Sequence, residues 1–205
     1  MRVKPFVHSL FIPWLFIWAL CPLAAQAACD NLGTDFWICY PTTDYPDAVH
    51  VSGTAGTSGT VQVSSPAANL PFTIPAGGTA TVSIYSNLIS YNQNRVVCNG
   101  GVHVTASSPV AVESGFWGYD ESDSSWAFPT PKLGTDYYLA DHGGGTFGVV
   151  ATQNGTTVTV TGSYPAVFSM NLGQTYFSMG SDVTGTRVQS NFPVGVFVEG
   201  FAAYP

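Results

Sequence analysis

Catalytic machinery in this chain would have to come from a small set of acidic, histidine and glycine residues. His142 precedes three glycines, an arrangement found in oxyanion holes, but no Gly-x-Ser-x-Gly nucleophile motif occurs anywhere in the sequence. A glycosidase needs two carboxylates that face each other across a cleft. Glu113 and Glu199 have the most apolar neighbours, yet both end predicted strands, where an edge or surface position explains them. We therefore expect no catalytic residues and no enzyme activity, and we interpret 142–145 as a turn.

Metal ligands are no better supported by the spacing of the acidic and histidine residues. Asp120, Glu121 and Asp123 bring together carboxylates that a hard cation favours, but they fit no calcium-loop pattern and suit a solvated loop equally well. His50 and His103 each lie between two valines, so strand alternation directs them away from the core, and no second ligand stands at metal spacing beside them. We expect neither a metal site nor a cofactor.

One tripeptide has two interpretations. Asn154-Gly155-Thr156 fits the acceptor pattern for N-glycosylation. The Asn-Gly pair is also the strongest turn signal in the chain, because both residues tolerate the positive φ of tight turns. We interpret it first as a turn between two strands.

The first 27 residues have the three regions of an export signal. Arg2 and Lys4 supply a positive start, 10–21 is apolar, and Ala25-Gln26-Ala27 is a small-residue cleavage site. The apolar region falls short of the roughly 20 residues that a bilayer crossing needs. An uncleaved anchor and a lipoprotein acylated at Cys29 are the alternatives. We predict a signal peptide at 1–27, a secreted or cell-surface protein and no membrane insertion after cleavage.

The charge of the mature chain excludes one class of partner. Cleavage leaves three cations, Arg95, Lys132 and Arg187, against twelve carboxylates, a net charge of −9. Such a surface repels phosphate backbones, so we expect no nucleic-acid partner.

Three cysteines remain after cleavage, and an exported chain favours a disulfide. Cys39 lies inside an apolar run, which is typical of a small buried thiol. The pairing that we prefer is therefore Cys29 with Cys98.

The strands that must position all these residues are organised around a motif that occurs twice. Gly33-Thr34-Asp35-Phe36-Trp37 and Gly134-Thr135-Asp136-Tyr137-Tyr138 each place two aromatics after a Gly-Thr-Asp corner. Short alternating runs rich in Val and Thr follow both copies in the same order, separated by Gly- and Pro-containing turns, and no window shows a helical period. We interpret the runs after each copy as three successive hairpins, and the third hairpin of the first copy is expected to turn at 107–109.

This pattern predicts an all-β protein of two tandem, related antiparallel β-sandwich-like units. The predicted boundaries are β-unit 1 at 28–118, a linker at 119–133 and β-unit 2 at 134–205. A propeller-like arrangement of the hairpins is the alternative, although about 160 residues make too few blades to close a ring.

Several blocks of the sequence also follow one another in an order typical of one protein family. Leu133-Gly134-Thr135-Asp136-Tyr137-Tyr138, preceded by Phe128-Pro129, is the most specific block. The further blocks are 147–160, 171–176, 182–186 with 193–197 and, in the first half, 33–36 and 106–112. Together they resemble the N-terminal domain family of IgGFc-binding proteins over nearly the whole mature chain.

The resemblance implies a non-enzymatic extracellular adhesion or binding module for a protein or glycan ligand, without implying that antibody is bound. Ligand contacts are expected in the loops 41–47, 87–94 and 119–125, where aromatic and acidic residues gather. The family usually continues with an Asn-x-Cys-x-x-Val-Pro run that is absent here, so we expect a shortened second unit. The alternatives are a structural matrix or surface-layer subunit that self-associates through edge strands and, third, a carbohydrate-active enzyme.

The cysteine count makes a prediction that can be measured directly. If Cys29 pairs with Cys98, thiol titration of the denatured, non-reduced mature chain finds one free sulfhydryl, that of Cys39. Three free sulfhydryls would show that no disulfide forms.

Overall fold

A computed structural model describes residues 31–40, 47–64, 67–84, 94–117, 122–141, 145–180 and 182–199. Within these ranges the chain is almost entirely β, with no α-helix and one 3₁₀ turn at Thr130–Lys132. The fifteen strands in chain order are β1 Gly33–Ile38, β2 Asp47–Ser52, β3 Ser58–Val63, β4 Ala68–Thr73, β5 Thr79–Ile84, β6 Val97–Cys98, β7 Val102–Trp117, β8 Ser122–Ala127, β9 Asp136–Tyr138, β10 Thr146–Ala151, β11 Thr156–Thr161, β12 Ala166–Met170, β13 Thr175–Met179, β14 Arg187–Ser190 and β15 Val194–Glu199.

The long strand β7 belongs to two antiparallel sheets at once. Its first part pairs with β1 on one side and β3 on the other, and β4 extends this sheet, which we call sheet A. Its second part pairs with β2 and β8, and β5 extends this sheet, which we call sheet B. Sheets A and B therefore form one sandwich, the first sandwich, joined through a shared strand.

Alternation along the strands fills the space between sheets A and B. In β3, for example, Val61 and Val63 are buried whereas Gln62 between them is exposed. Valines, Phe72 and Ile84 from both sheets join one core cluster. The β-branched residues that favour strands thus also supply the apolar layer that holds the two sheets together.

The second sandwich has the same strand order in its first layer. Sheet D runs β12-β11-β14-β9, which corresponds to β4-β3-β7-β1 in sheet A. Sheet C runs β15-β10-β13-β6, and its first three strands correspond to β7, β2 and β5 of sheet B. Phe147, Val158 and Met170 belong to its separate core cluster. The shared order supports the predicted internal repeat, which stays a prediction.

The all-β fold class with sandwich-like units is confirmed, but the predicted hairpins are wrong. Strands β2 and β3 lie in different sheets, as do β4 and β5, β10 and β11, β12 and β13, and β14 and β15. Residues 107–109, predicted as a turn, lie within β7. Turn residues specify that the chain changes direction, but whether the next strand pairs or crosses to the opposite layer depends on distant partners. The same crossings rule out the propeller-like alternative, whose blades need sequential pairing.

Strand pairing crosses the predicted boundaries in two places. Strand β8, inside the predicted linker, pairs with β7, and β6, inside predicted unit 1, pairs with β13. Val150 and Phe197 from sheet C are buried in the core cluster of the first sandwich. The proposed boundaries 28–118, 119–133 and 134–205 remain predictions, while these contacts place 31–205 in one compact unit.

The predicted signal peptide lies outside the described residues. Within them, no helix has the length and apolar character that a membrane span requires.

The shared core makes a prediction about cooperativity. Phe197 belongs to the second sandwich and is 7% exposed within the first core. We expect Phe197→Ala to lower the free energy of unfolding by about 3 kcal/mol, because a buried phenylalanine leaves a cavity. The tryptophans after residue 27 are Trp37, Trp117 and Trp126, in strands β1, β7 and β8 of the first sandwich, so tryptophan fluorescence in urea should report this loss as a single shifted transition.

Phe128→Ala is the matched control. Phe128 is 55% exposed, so its removal should change the free energy of unfolding by about 1 kcal/mol or less. A tryptophan transition that does not move in Phe197→Ala would show that the two sandwiches unfold independently.

Candidate functional site

Several candidate residues from the sequence analysis lie outside the residues or side chains that the structure describes. Asp120, Glu121 and 142–144 are outside the described residues, and so are the side chains of Asp123 and Glu199. Of the other candidates, Glu113 and His50 are partly buried cross-strand neighbours on sheet B. The imidazole of His50 lies 3.0 Å from the Thr81 hydroxyl.

The most ordered polar cluster lies on the outer face of sheet A. Antiparallel pairing sets Trp37 of β1 opposite His103 of β7, and alternation places Asp35 on the same face two residues before Trp37. The indole and imidazole rings stack with centroids 4.2 Å apart and an angle of 6° between their planes. His103 Nε2 lies 2.8 Å from Asp35 Oδ2. Stacking on Trp37 therefore fixes the plane of the His103 ring, and the contact with Asp35 fixes its rotation within that plane.

The second ring nitrogen of His103 and the ring of Trp37 also have close neighbours. His103 Nδ1 lies 3.4 Å from Gln62 Oε1 on β3. A Cβ added at Gly173, which has a φ of +74°, would lie 3.0 Å from the Trp37 ring. Trp37 is consequently 9% exposed, held between a histidine and a backbone approach that requires glycine.

A cavity of about 330 Å³ opens beside this cluster. Its lining includes Trp37, Gln62, Ser64, Ala68, Asn69 and His103. Gln62 and Asn69 face each other across β3 and β4 and are both exposed. The Ser64 hydroxyl donates to the Gly101 carbonyl at 2.9 Å. The cavity thus presents two exposed amides, of which that of Gln62 also contacts His103.

A second cavity of about 410 Å³ lies further along the same face. Its lining includes Ser58, Thr60, Pro71, Phe72, Thr105 and Ser107. The hydroxyls of Thr60 and Thr105 lie 3.0 Å apart across β3 and β7. The two cavities line one strip of sheet A, which we call the sheet A groove.

The second Gly-Thr-Asp motif builds an equivalent cluster on sheet D. Tyr138 pairs in register with Arg187, as Trp37 does with His103. Arg187 donates to Asp136 through Nε at 2.8 Å and Nη2 at 2.6 Å, and its guanidinium carbon lies 5.3 Å from the Tyr138 ring centroid. These charged hydrogen bonds hold the pKa of Asp136 below its ordinary range.

Tyr137, which lies between Asp136 and Tyr138 in the sequence, has a different role. Tyr137 donates its hydroxyl to the Val194 carbonyl at 2.8 Å and accepts from the Gly134 amide at 2.6 Å. Burial raises the pKa of Tyr137, so its hydroxyl stays protonated and able to donate. The motif at 133–138 therefore connects strands of the second sandwich. Phe36, which holds the position of Tyr137 in the first copy, is fully buried.

Sequence reasoning found the outward direction of His103 but missed its partners. Asp35 is 68 positions away and Gln62 is 41 positions away, so no local spacing joins them. The repeated Gly-Thr-Asp motif was the available signal, because its aspartate occupies the same position in both clusters.

The cysteines are described only in part. Cys39 is buried, and the Cys98 thiol is partly exposed and lies 3.6 Å from the Val96 carbonyl. Cys29 lies outside the described residues, so its pairing with Cys98 stays a prediction.

The groove offers a ligand several hydrogen-bonding groups. They are amides, hydroxyls and one imidazole, which can donate or accept. Among the described residues, no three His, Cys, Asp or Glu side chains come together as metal ligands.

The Asp136–Arg187 pair predicts a specific pH dependence. A carboxylate whose folded-state pKa is depressed stabilises the fold above its unfolded pKa and loses that contribution as pH falls through the folded value. Wild type should therefore be more stable than Asp136→Asn at neutral pH, and the difference should disappear in acid below the ordinary value of 3.8. Urea unfolding from neutral pH to about pH 2 measures this.

Arg187→Gln supplies the reference background for this experiment. Without the guanidinium, Asp136→Asn should produce little pH-dependent difference, and salt should weaken the effect in the wild type because both side chains are exposed. Parallel pH profiles of wild type and Asp136→Asn would contradict the role given to the pair.

Comparison with known proteins gives one match. The model of the family described as IgGFc binding protein matches residues 123–203, which run from β8 to the end of the second sandwich. Neither the curated proteins nor the solved structures include a match to this chain. The resemblance inferred from blocks 128–138 to 193–197 is confirmed, whereas blocks 33–36 and 106–112 lie outside the matched range. Over its second sandwich, the chain is similar to the IgGFc binding protein family.

Proposed function

We propose that this protein is a secreted or cell-surface, non-enzymatic binding module that adheres to protein or glycoprotein ligands. The match to the IgGFc binding protein family supports an extracellular binding role. The signal-like sequence at 1–27 supports export. The acidic mature chain favours neutral or basic partners over nucleic acid.

The observation that carries the proposal is the sheet A groove. Preformed concave sites with a few oriented polar groups are typical of ligand binding. Gln62, Asn69 and Thr105 stand on hydrogen-bonded strands rather than on loops, so their backbone positions are set before a ligand arrives. Little backbone entropy is then lost on binding.

The loops expected to hold the contacts, 41–47, 87–94 and 119–125, lie mostly outside the described residues. The strand ends that flank them are described. Asp47 pairs with Ile84 and with Phe116, and Trp117 pairs with Ser122. These loops therefore all leave the same end of sheet B, which supports a second contact region there.

A structural subunit is the alternative, and one edge strand favours it. β12 has no proline or charged residue and carries Val167, which is 72% exposed. Its counterpart β4 contains Pro71, a residue that discourages strand addition at an edge. Self-association through β12 would assemble copies of this chain edge to edge.

Binding to immobilised glycoproteins tests the proposal. We expect the purified mature chain to bind at least one mucin or matrix glycoprotein with saturable kinetics in surface plasmon resonance. An unrelated acidic protein on the same surface controls for charge. Uniformly blank traces would contradict a binding role.

Light scattering on the same preparation separates the two functions. A binding module should keep one size over the concentration range, whereas a size that grows with concentration, together with blank binding traces, would favour the structural subunit.

A further inference from the structure

We propose that the sheet A groove binds an uncharged oligosaccharide chain. This inference rests on the proposed binding function and names the ligand class of its site. The ligand would lie across β3 and β7, from the first cavity beside Gln62 to the second beside Ser58.

The composition of the lining selects against charged ligands. Among the described residues that line the two cavities, none is Lys, Arg, Asp or Glu. Asp35 contacts His103 and stands opposite Thr105 on the neighbouring strand, so the charge beside the groove is negative. A sulfated or sialylated chain would find no cation in the lining to neutralise it, and would meet a mature chain in which three cations stand against twelve carboxylates, a net charge of −9. The groove therefore suits a neutral ligand.

The length of the groove suits a chain rather than a single ring. Ser58, Thr60 and Gln62 alternate outward along β3, and successive outward residues on a strand are about 6.7 Å apart. The three side chains thus cover about 13 Å. A ligand that contacts the amide end and the hydroxyl end together must extend over several linked units.

The backbone under the groove argues for a glycan rather than for an extended peptide. β3 lies between β4 and β7, and the first part of β7 lies between β1 and β3. Their backbone N–H and C=O groups are used within the sheet, so a peptide strand cannot add here as it adds to a sheet edge. Recognition must come from side chains alone.

The available side chains match sugar hydroxyls. Amides such as Gln62 and Asn69, and hydroxyls such as Thr60 and Thr105, each donate and accept, as a sugar hydroxyl does. Pro71 and Ala68 add small apolar surfaces between them, on which the C–H faces of a ring can rest.

Three forms of one mucin test the inference. The probes are intact mucin, the same mucin after chemical deglycosylation, and the neutral and acidic oligosaccharides released from it. We expect binding to intact mucin and to the neutral oligosaccharides, and loss of binding to the deglycosylated protein. Gln62→Ala and Asn69→Ala should each weaken neutral-oligosaccharide binding about tenfold, because each removes hydrogen bonds made to the ligand.

Gln189→Ala is the matched control, since it makes the same change on sheet D, where Gln189 stands opposite Thr159 and Asp136. It should leave binding unchanged. Gln62 and Asn69 are exposed, so neither variant should change the unfolding transition.

Three outcomes would overturn the inference while leaving the proposed function intact. One is equal binding to intact and deglycosylated mucin. Another is mucin binding that Gln62→Ala and Asn69→Ala leave unaffected. Preference for the acidic oligosaccharides would also overturn it, because the lining offers them no cation.

Discussion

The double use of strand β7 is the constraint on which the first sandwich depends. Over 102–106 its backbone groups pair with β1 and β3, and over 111–117 they pair with β2 and β8. The partners change across Ser107, Ser108 and Pro109, where proline's missing N–H removes no ladder bond to β3 or β2. Because one covalent strand belongs to both layers, neither sheet can slide relative to the other without breaking pairs in both.

This constraint also determines which surfaces remain for function. In the second sandwich the two parts of the corresponding strand are separate, as β14 in sheet D and β15 in sheet C. Sheet C then places Val150 and Phe197 against the first core. The outer face of sheet C therefore packs against the first sandwich, whereas the outer face of sheet A keeps its amides and hydroxyls exposed. Two similar strand orders thus yield one packing surface and one groove.

The all-β class, many of the strands and the outward direction of His103 followed from alternation, because burial on a sheet has a period of two residues. Strand β8, inside the predicted linker, and the continuation of β7 through 107–109 did not follow. The pairing did not follow. Pro75 to Gly78 and Gln153 to Thr156 signal a change of direction, and they do so equally well for a hairpin and for a crossing between layers. The contact of Asp35 with His103 required knowing that β1 pairs with β7, which is decided by packing across 68 residues. The Gly-Thr-Asp motif was correctly found as a repeat of residues, but its two clusters, one with histidine and one with arginine, emerge only from register.

Strand β6 precedes the segment that the family model matches, but it completes a sheet of that segment. The family match begins at residue 123, yet the edge of β13 is completed by residues that precede it. Asn94 accepts from the Met179 amide, the Arg95 amide donates to the Phe177 carbonyl, and Asn99 accepts from the Gln174 side chain. The segment that the family model matches is therefore shorter than the unit whose strands complete its sheets. A fragment that begins at residue 123 would lack β6, and the edge of β13 in sheet C would be left without its partner strand.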